Sequence, residues 1–102
     1  MKLSKPQIAI MNEMSHRAVI GEFSGKFDSR FELFSFRHKT VTTIRRATFF
    51  ALLESGCIEE GDKSIIEPGV QTGLMQPYSR DRWYKAKAKA LRELFTNKSL
   101  KG

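Results

Sequence analysis

The apolar residues of this chain keep a helical spacing from Ile8 to Met14, lose it between Ala18 and Phe36, and resume it from Val41 to Leu53. A pattern that switches from helix period to strand period and back fits neither a helical bundle nor a β-sandwich; it predicts an α+β fold. At 102 residues the chain is one domain's worth, expected over residues 1–97 with a flexible C-terminal tail at 98–102.

Local signals set the expected elements. Ser4 with Gln7 is a capping-box pattern, and Pro6 is tolerated in a first turn, so a helix is predicted over residues 5–15. Aromatic and β-branched residues flanking Ser24-Gly25-Lys26 predict a β-hairpin with arms at 18–24 and 30–37. Its five phenylalanines (Phe23, Phe27, Phe31, Phe34, Phe36) read as core, or in part as an interaction surface. The spacing of Val41, Ile44, Thr48 and Leu52 predicts a helix over 41–55, ended by Gly56 and followed by a strand from Cys57-Ile58. Arg45 falls toward the apolar side on that spacing, a break that assigns the first turn to a separate short helix. Residues 59–78 are turn-rich, with strand-like pieces at Ser64–Glu67 and Gly73–Met75, and read as a β-wing or loop. A last helix is expected over 80–96, with Ser79 as N-cap, Asp81 in its first turn and Trp83 and Tyr84 anchoring its buried side.

Charge narrows the function classes. The net charge of +7 is concentrated: Arg37, Lys39, Arg45 and Arg46 lie within 37–46 with no acid, and residues 79–102 carry a net +6. Residues 54–67 run the other way, with Glu54, Glu59, Glu60, Asp62 and Glu67 against Lys63. Clustered charge of one sign attracts a polyanion, although it also serves solubility. The single cysteine, Cys57, excludes an internal disulfide and reads as core, which fits a reducing, cytoplasmic setting. No apolar run approaches a membrane span, and Lys2 and Lys5 are not followed by the apolar stretch of a signal peptide.

Chemical motifs are sparse. His16 and His38 have no cysteine pair or acidic box at metal spacing, so no cofactor or metal is expected. No phosphate loop, nucleophile elbow or Cys/His pair is present, and Glu59-Glu60-Gly61-Asp62 lacks the spacing of a calcium loop. The chain therefore does not read as an enzyme.

The stretch from Val41 to Ile58 resembles the recognition-helix segment of small bacterial and phage winged helix-turn-helix proteins. Phe49, Leu52, Gly56 and Ile58 match its aromatic or aliphatic positions, its glycine and the strand that follows. Leu3–Ile8 and the closing helix resemble the first and last helices of that family. One departure stands out: the second helix should precede Val41, where Phe31–Phe36 reads as strand. The resemblance implies a small transcriptional regulator that binds duplex DNA, most naturally as a homodimer. Helix starts meet base edges and phosphates, which makes Thr42, Thr43, Arg45 and Arg46 the first candidate site, with Arg46 foremost. Arg82, Lys85, Lys89 and Arg92 form a second, a basic helix stripe that would neutralise phosphates. The alternatives are a protein-interaction module or inhibitor on the same scaffold, which Phe50 and Glu54 would suit, and single-strand binding through the aromatic hairpin.

Overall fold

Both halves of the first capping box form. In the computed structural model, which describes residues 3–76 and 79–96, the Gln7 N–H donates to Ser4 Oγ at 3.3 Å and the Ser4 N–H donates to Gln7 Oε1 at 2.9 Å. They start α1 (Lys5–Met14), which buries Met11 and Met14. The hairpin follows as β1 (Val19–Ser24) and β2 (Ser29–Ser35), antiparallel from Val19↔Phe34 to Ser24↔Ser29. Next come β3 (Thr40–Ile44), α2 (Arg46–Glu54) and β4 (Ile58–Gly61). A 3₁₀ turn (Lys63–Ile66) leads into α3 (Glu67–Gln71), and β5 (Arg82–Ala86) precedes α4 (Ala88–Leu91), which widens into a π-type turn over Arg92–Thr96. The strands make one antiparallel sheet in the order β3-β2-β1-β5-β4. The described residues thus form a single α+β domain with four α-helices and five strands. No helix among them is long and apolar enough to cross a membrane.

Strand alternation sends side chains to two faces, and both are covered. On one, Ile20, Phe31, Leu33, Ile44, Ile58 and Tyr84 meet Met11 and Met14 of α1, Phe49 and Leu52 of α2, and Ala90 of α4. Phe31 stacks on Phe49 with ring centroids 3.8 Å apart, so Phe49→Ala should cost about 3–5 kcal/mol. On the other face, Val19, Phe34 and Trp83 are covered by Ile66 and Met75.

That second layer corrects the expected wing. Residues 62–76 do not project as a loop; they fold back on the sheet through Ile65, Ile66, Val70, Leu74 and Met75. The expected strand pieces at Ser64–Glu67 and Gly73–Met75 are a 3₁₀ turn running into α3 and a turn leading away from it. Pro68 is compatible with the first turn of α3, and Gly69 is needed because a Cβ there would lie 2.7 Å from the Phe36 ring. Pro77 and the 98–102 tail lie outside the described residues.

Two helix boundaries also differ. Residues 41–44 are strand, because the β-branched run Val41-Thr42-Thr43-Ile44 pairs with Phe31–Phe34. Residues 82–86 are strand too: Trp83 and Tyr84 enter opposite cores, which consecutive residues of one helix cannot do across a sheet. Ser79 and Asp81 therefore cap no helix. Asp81 instead extends the β1–β5 edge, its N–H donating to the Glu22 carbonyl at 2.8 Å and its carboxylate accepting from the Ser24 N–H at 2.6 Å. Gly56, with φ of 78°, ends α2 as expected, and Cys57 is buried beside it.

Candidate nucleic-acid interface

The first candidate cluster straddles the junction between β3 and α2. Thr42 and Thr43 lie on β3, at the outer edge of the sheet, and both are exposed. Arg45 is the N-cap of α2 in extended conformation, and Arg46 is its first residue. The Arg45 side chain makes no capping hydrogen bond, and no acid lies in the first turn of this helix. The first-turn N–H groups and the positive end of the helix dipole thus have no acid of the helix itself beside them, and the residues at this end, Arg45 and Arg46, are both cationic. An uncapped helix start flanked by arginines favours an incoming anion.

The two arginines differ in their surroundings. Arg45 is exposed and makes no ion pair with a described residue. It stands on the rim of a groove of about 440 Å³ between α1 and α2, walled by Pro6, Ile10 and Thr48 over Leu33 and Ile44. Arg46 Nη1 lies 2.7 Å from Asp28 Oδ1, and its guanidinium carbon is 6.0 Å from the centre of the Phe50 ring. Both members of the Arg46–Asp28 pair are more than half exposed, so the bond is weak and open to exchange with a phosphate.

Asp28 belongs to the β1–β2 turn, so this ion pair docks the hairpin tip onto the start of α2. The Gly25 N–H donates to the Asp28 carbonyl at 2.7 Å and leaves Lys26 and Phe27 as the two tip residues. Phe27 is 92% exposed, with Lys26 Nζ 5.5 Å from its ring centre. Phe23 is 44% exposed on one face of the hairpin, opposite Arg30, and Phe50 is 38% exposed against the other, edge-on to Phe31. The five hairpin phenylalanines therefore divide: Phe31 and Phe34 are core, Phe36 is half-buried, and Phe23 and Phe27 face water. Their positions beside the Ser24-Gly25-Lys26 turn were the available sign, since turn residues seldom reach a core.

The second cluster does not form the expected stripe. Arg82 and Lys85 lie on β5 and point to opposite faces, while Lys89 and Arg92 follow on α4 and the turn after it. Arg82 sits across from Glu22, and the Tyr84 hydroxyl with the Glu22 and Glu60 carboxylates holds its guanidinium more firmly protonated than usual. Lys85 faces Glu59 across the ladder. It also helps lower the Asp62 carboxyl, whose main partner is the Ser64 hydroxyl. Lys89 and Arg92 are exposed and make no ion pair with a described residue. The sheet order separates β3 from β5 by three strand steps, about 14 Å, so the two clusters are not one helix face.

Arg37 leaves the basic surface for a structural role. Its Nη2 lies 2.7 Å from Glu13 Oε2, the Ser35 hydroxyl donates to Glu13 Oε1 at 2.9 Å, and His38 Nε2 lies 3.6 Å away. The Arg37 hydrogen bond is the main reason the Glu13 carboxyl is held down at about 2. The chain matches no protein-family model, and no curated protein or solved structure is significantly similar to it.

Proposed function

We propose that this chain is a DNA-binding protein, a small regulator that contacts duplex DNA through the start of α2. One observation carries the reading: an uncapped, acid-free helix start that presents Arg45 and Arg46 next to the exposed hairpin tip. Phosphate binds such helix ends through backbone N–H groups, and arginine supplies the charge-assisted bonds around them. The exposed Thr42 and Thr43 add hydroxyl donors on the adjoining strand.

We read the winged-helix resemblance in a changed form. The helix α2 is followed by Gly56 and then by β4 paired antiparallel with β5, a helix-and-two-strand unit. In that reading the wing is the β4–β5 ladder, the segment 62–76 packs on the sheet instead of projecting from it, and strands β1 to β3 stand where the second helix is expected. A two-fold dimer would set two α2 starts on one duplex.

Fluorescence anisotropy with a labelled mixed-sequence duplex at low salt tests the reading. Binding in the micromolar range or tighter is expected, weakening steeply as salt rises. No binding at protein concentrations on the order of tens of micromolar would overturn it.

A protein-interaction module is favoured by Glu54, which is exposed on the same helix as Phe50 and would repel a phosphate. Under that reading, reversing Arg45 and Arg46 leaves DNA binding unchanged, whereas substitution of Phe50 and Glu54 abolishes capture of the partner.

A further inference from the structure

We infer that Phe27 is a base-stacking wedge, a side chain that inserts between base pairs of the duplex held by the start of α2. The inference rests on the DNA-binding reading above and adds a mode of engagement to it.

The hairpin turn is built around this ring without needing it. Neither Lys26 nor Phe27 adopts a positive φ, so the turn has no conformational demand for an aromatic residue. Folding buries almost none of the Phe27 side chain, which is 92% exposed. The turn beneath it is nevertheless fastened on both sides. The Ser24 N–H donates to Asp81 Oδ2 at 2.6 Å, the Ser29 N–H donates to Asp28 Oδ1 at 2.9 Å, and Asp28 Oδ1 also accepts from Arg46. A bare aromatic ring on a fixed base loses little freedom when it is inserted, which is what a wedge requires.

Charge decides the class of partner. Lys26 Nζ lies 5.5 Å from the ring centre, and the acids nearest the hairpin base are each hydrogen-bonded: Asp28 accepts from Arg46 and the Ser29 N–H, Asp81 from the Ser24 N–H, and Glu22 from the Ser24 and Tyr84 hydroxyls. An aromatic anchor for a protein partner sits in an apolar patch with a polar rim. Here the ring's contact is the Lys26 ammonium, and an exposed apolar ring beside positive charge matches a base stack lined by phosphates. The Arg46–Asp28 bond also makes the geometry consistent: a duplex seated on the α2 start meets the hairpin tip at the same time.

The test uses the full chain and a duplex carrying 2-aminopurine, a base whose fluorescence rises when its stack is opened. Binding of the wild-type protein should raise that fluorescence at one step. Phe27→Ala should still bind, with affinity within roughly tenfold of wild type and an unchanged salt dependence, and should abolish the rise. Phe27→Trp should restore it. Because the ring is exposed, neither variant should perturb folding, which circular dichroism checks. An equal rise with Phe27→Ala would overturn the wedge and leave DNA binding standing, as would a loss confined to single-stranded DNA. Failure of the wild-type protein to bind duplex at all would overturn both.

Discussion

The two basic segments, +4 over residues 37–46 and +6 over residues 79–102, meet different surroundings in the fold. At the β3–α2 junction, Arg45 makes no ion pair with a described residue, Arg46 shares one exposed aspartate, and the helix behind them offers uncapped N–H groups. On β5, Arg82 and Lys85 are set across from Glu22 and Glu59, carboxylates that offset part of their charge, while Lys89 and Arg92 beyond the strand stay exposed. A cation's value to a ligand depends on the acids that the fold sets beside it, not on the count in its segment. Strand pairing sets Glu22 and Glu59 across from Arg82 and Lys85, whereas at the α2 start Asp28 partners Arg46 alone and Arg45 has no ion pair among the described residues.

The sharpest way to break that contrast is reversal of both arginines. Arg45→Glu with Arg46→Glu should weaken duplex binding on the order of a hundredfold, since two phosphate contacts become two repulsions. Anisotropy at fixed low salt measures it, and a change under threefold would remove the distinction between the clusters.

The Glu13 site supplies an internal control, because Arg37 belongs to the same basic run as Arg45 and yet serves the fold. Glu13 is lowered from 4.5 to about 2 by Arg37, so its ionised form stabilises the folded state fully above about 4.5. That contribution disappears as pH falls toward 2. Glu13→Gln should therefore lower stability at neutral pH by about 1 kcal/mol, a drop of roughly 4–8 °C in Tm, and flatten the acid limb of a Tm-versus-pH curve. DNA affinity should stay within about twofold. A steeper acid limb in the variant would contradict the role given to Arg37.

Smaller effects sharpen the comparison. Lys89→Glu with Arg92→Glu should weaken binding only about threefold, a change carried by long-range field and not by contact. Asp28→Asn frees Arg46 from its ion pair and should tighten binding about twofold, read by the same anisotropy titration. Weaker binding by this variant would mean that the ion pair positions Arg46 for the duplex instead of competing with it.

Elements with a local signature were legible in the sequence. The Ser4–Gln7 capping box, the turn at Ser24-Gly25-Lys26 and the stop at Gly56 each depend on chemistry within a few residues. Val41–Ile44 and Arg82–Ala86 were not, because their apolar spacing fits helix and strand alike over so short a run, and pairing with β2 and β1 decides between them. The Gly and Pro residues of 62–76 signalled turns and hid an apolar layer whose partner, Trp83, lies on another strand. For the site, Arg45 and Arg46 were visible as charge. Asp28 beside Arg46, and the exposure of Phe27, depend on how the hairpin tip meets α2, a contact between segments 18 residues apart.

The most direct test of the account is the salt dependence of duplex affinity, measured for wild type and for the Arg45→Glu, Arg46→Glu variant. The slope of log K against log salt should fall by about 2 in the variant, one for each phosphate contact removed. An unchanged slope, with the loss appearing instead when Lys89 and Arg92 are reversed, would place the interface on the C-terminal segment and contradict the role assigned to the start of α2.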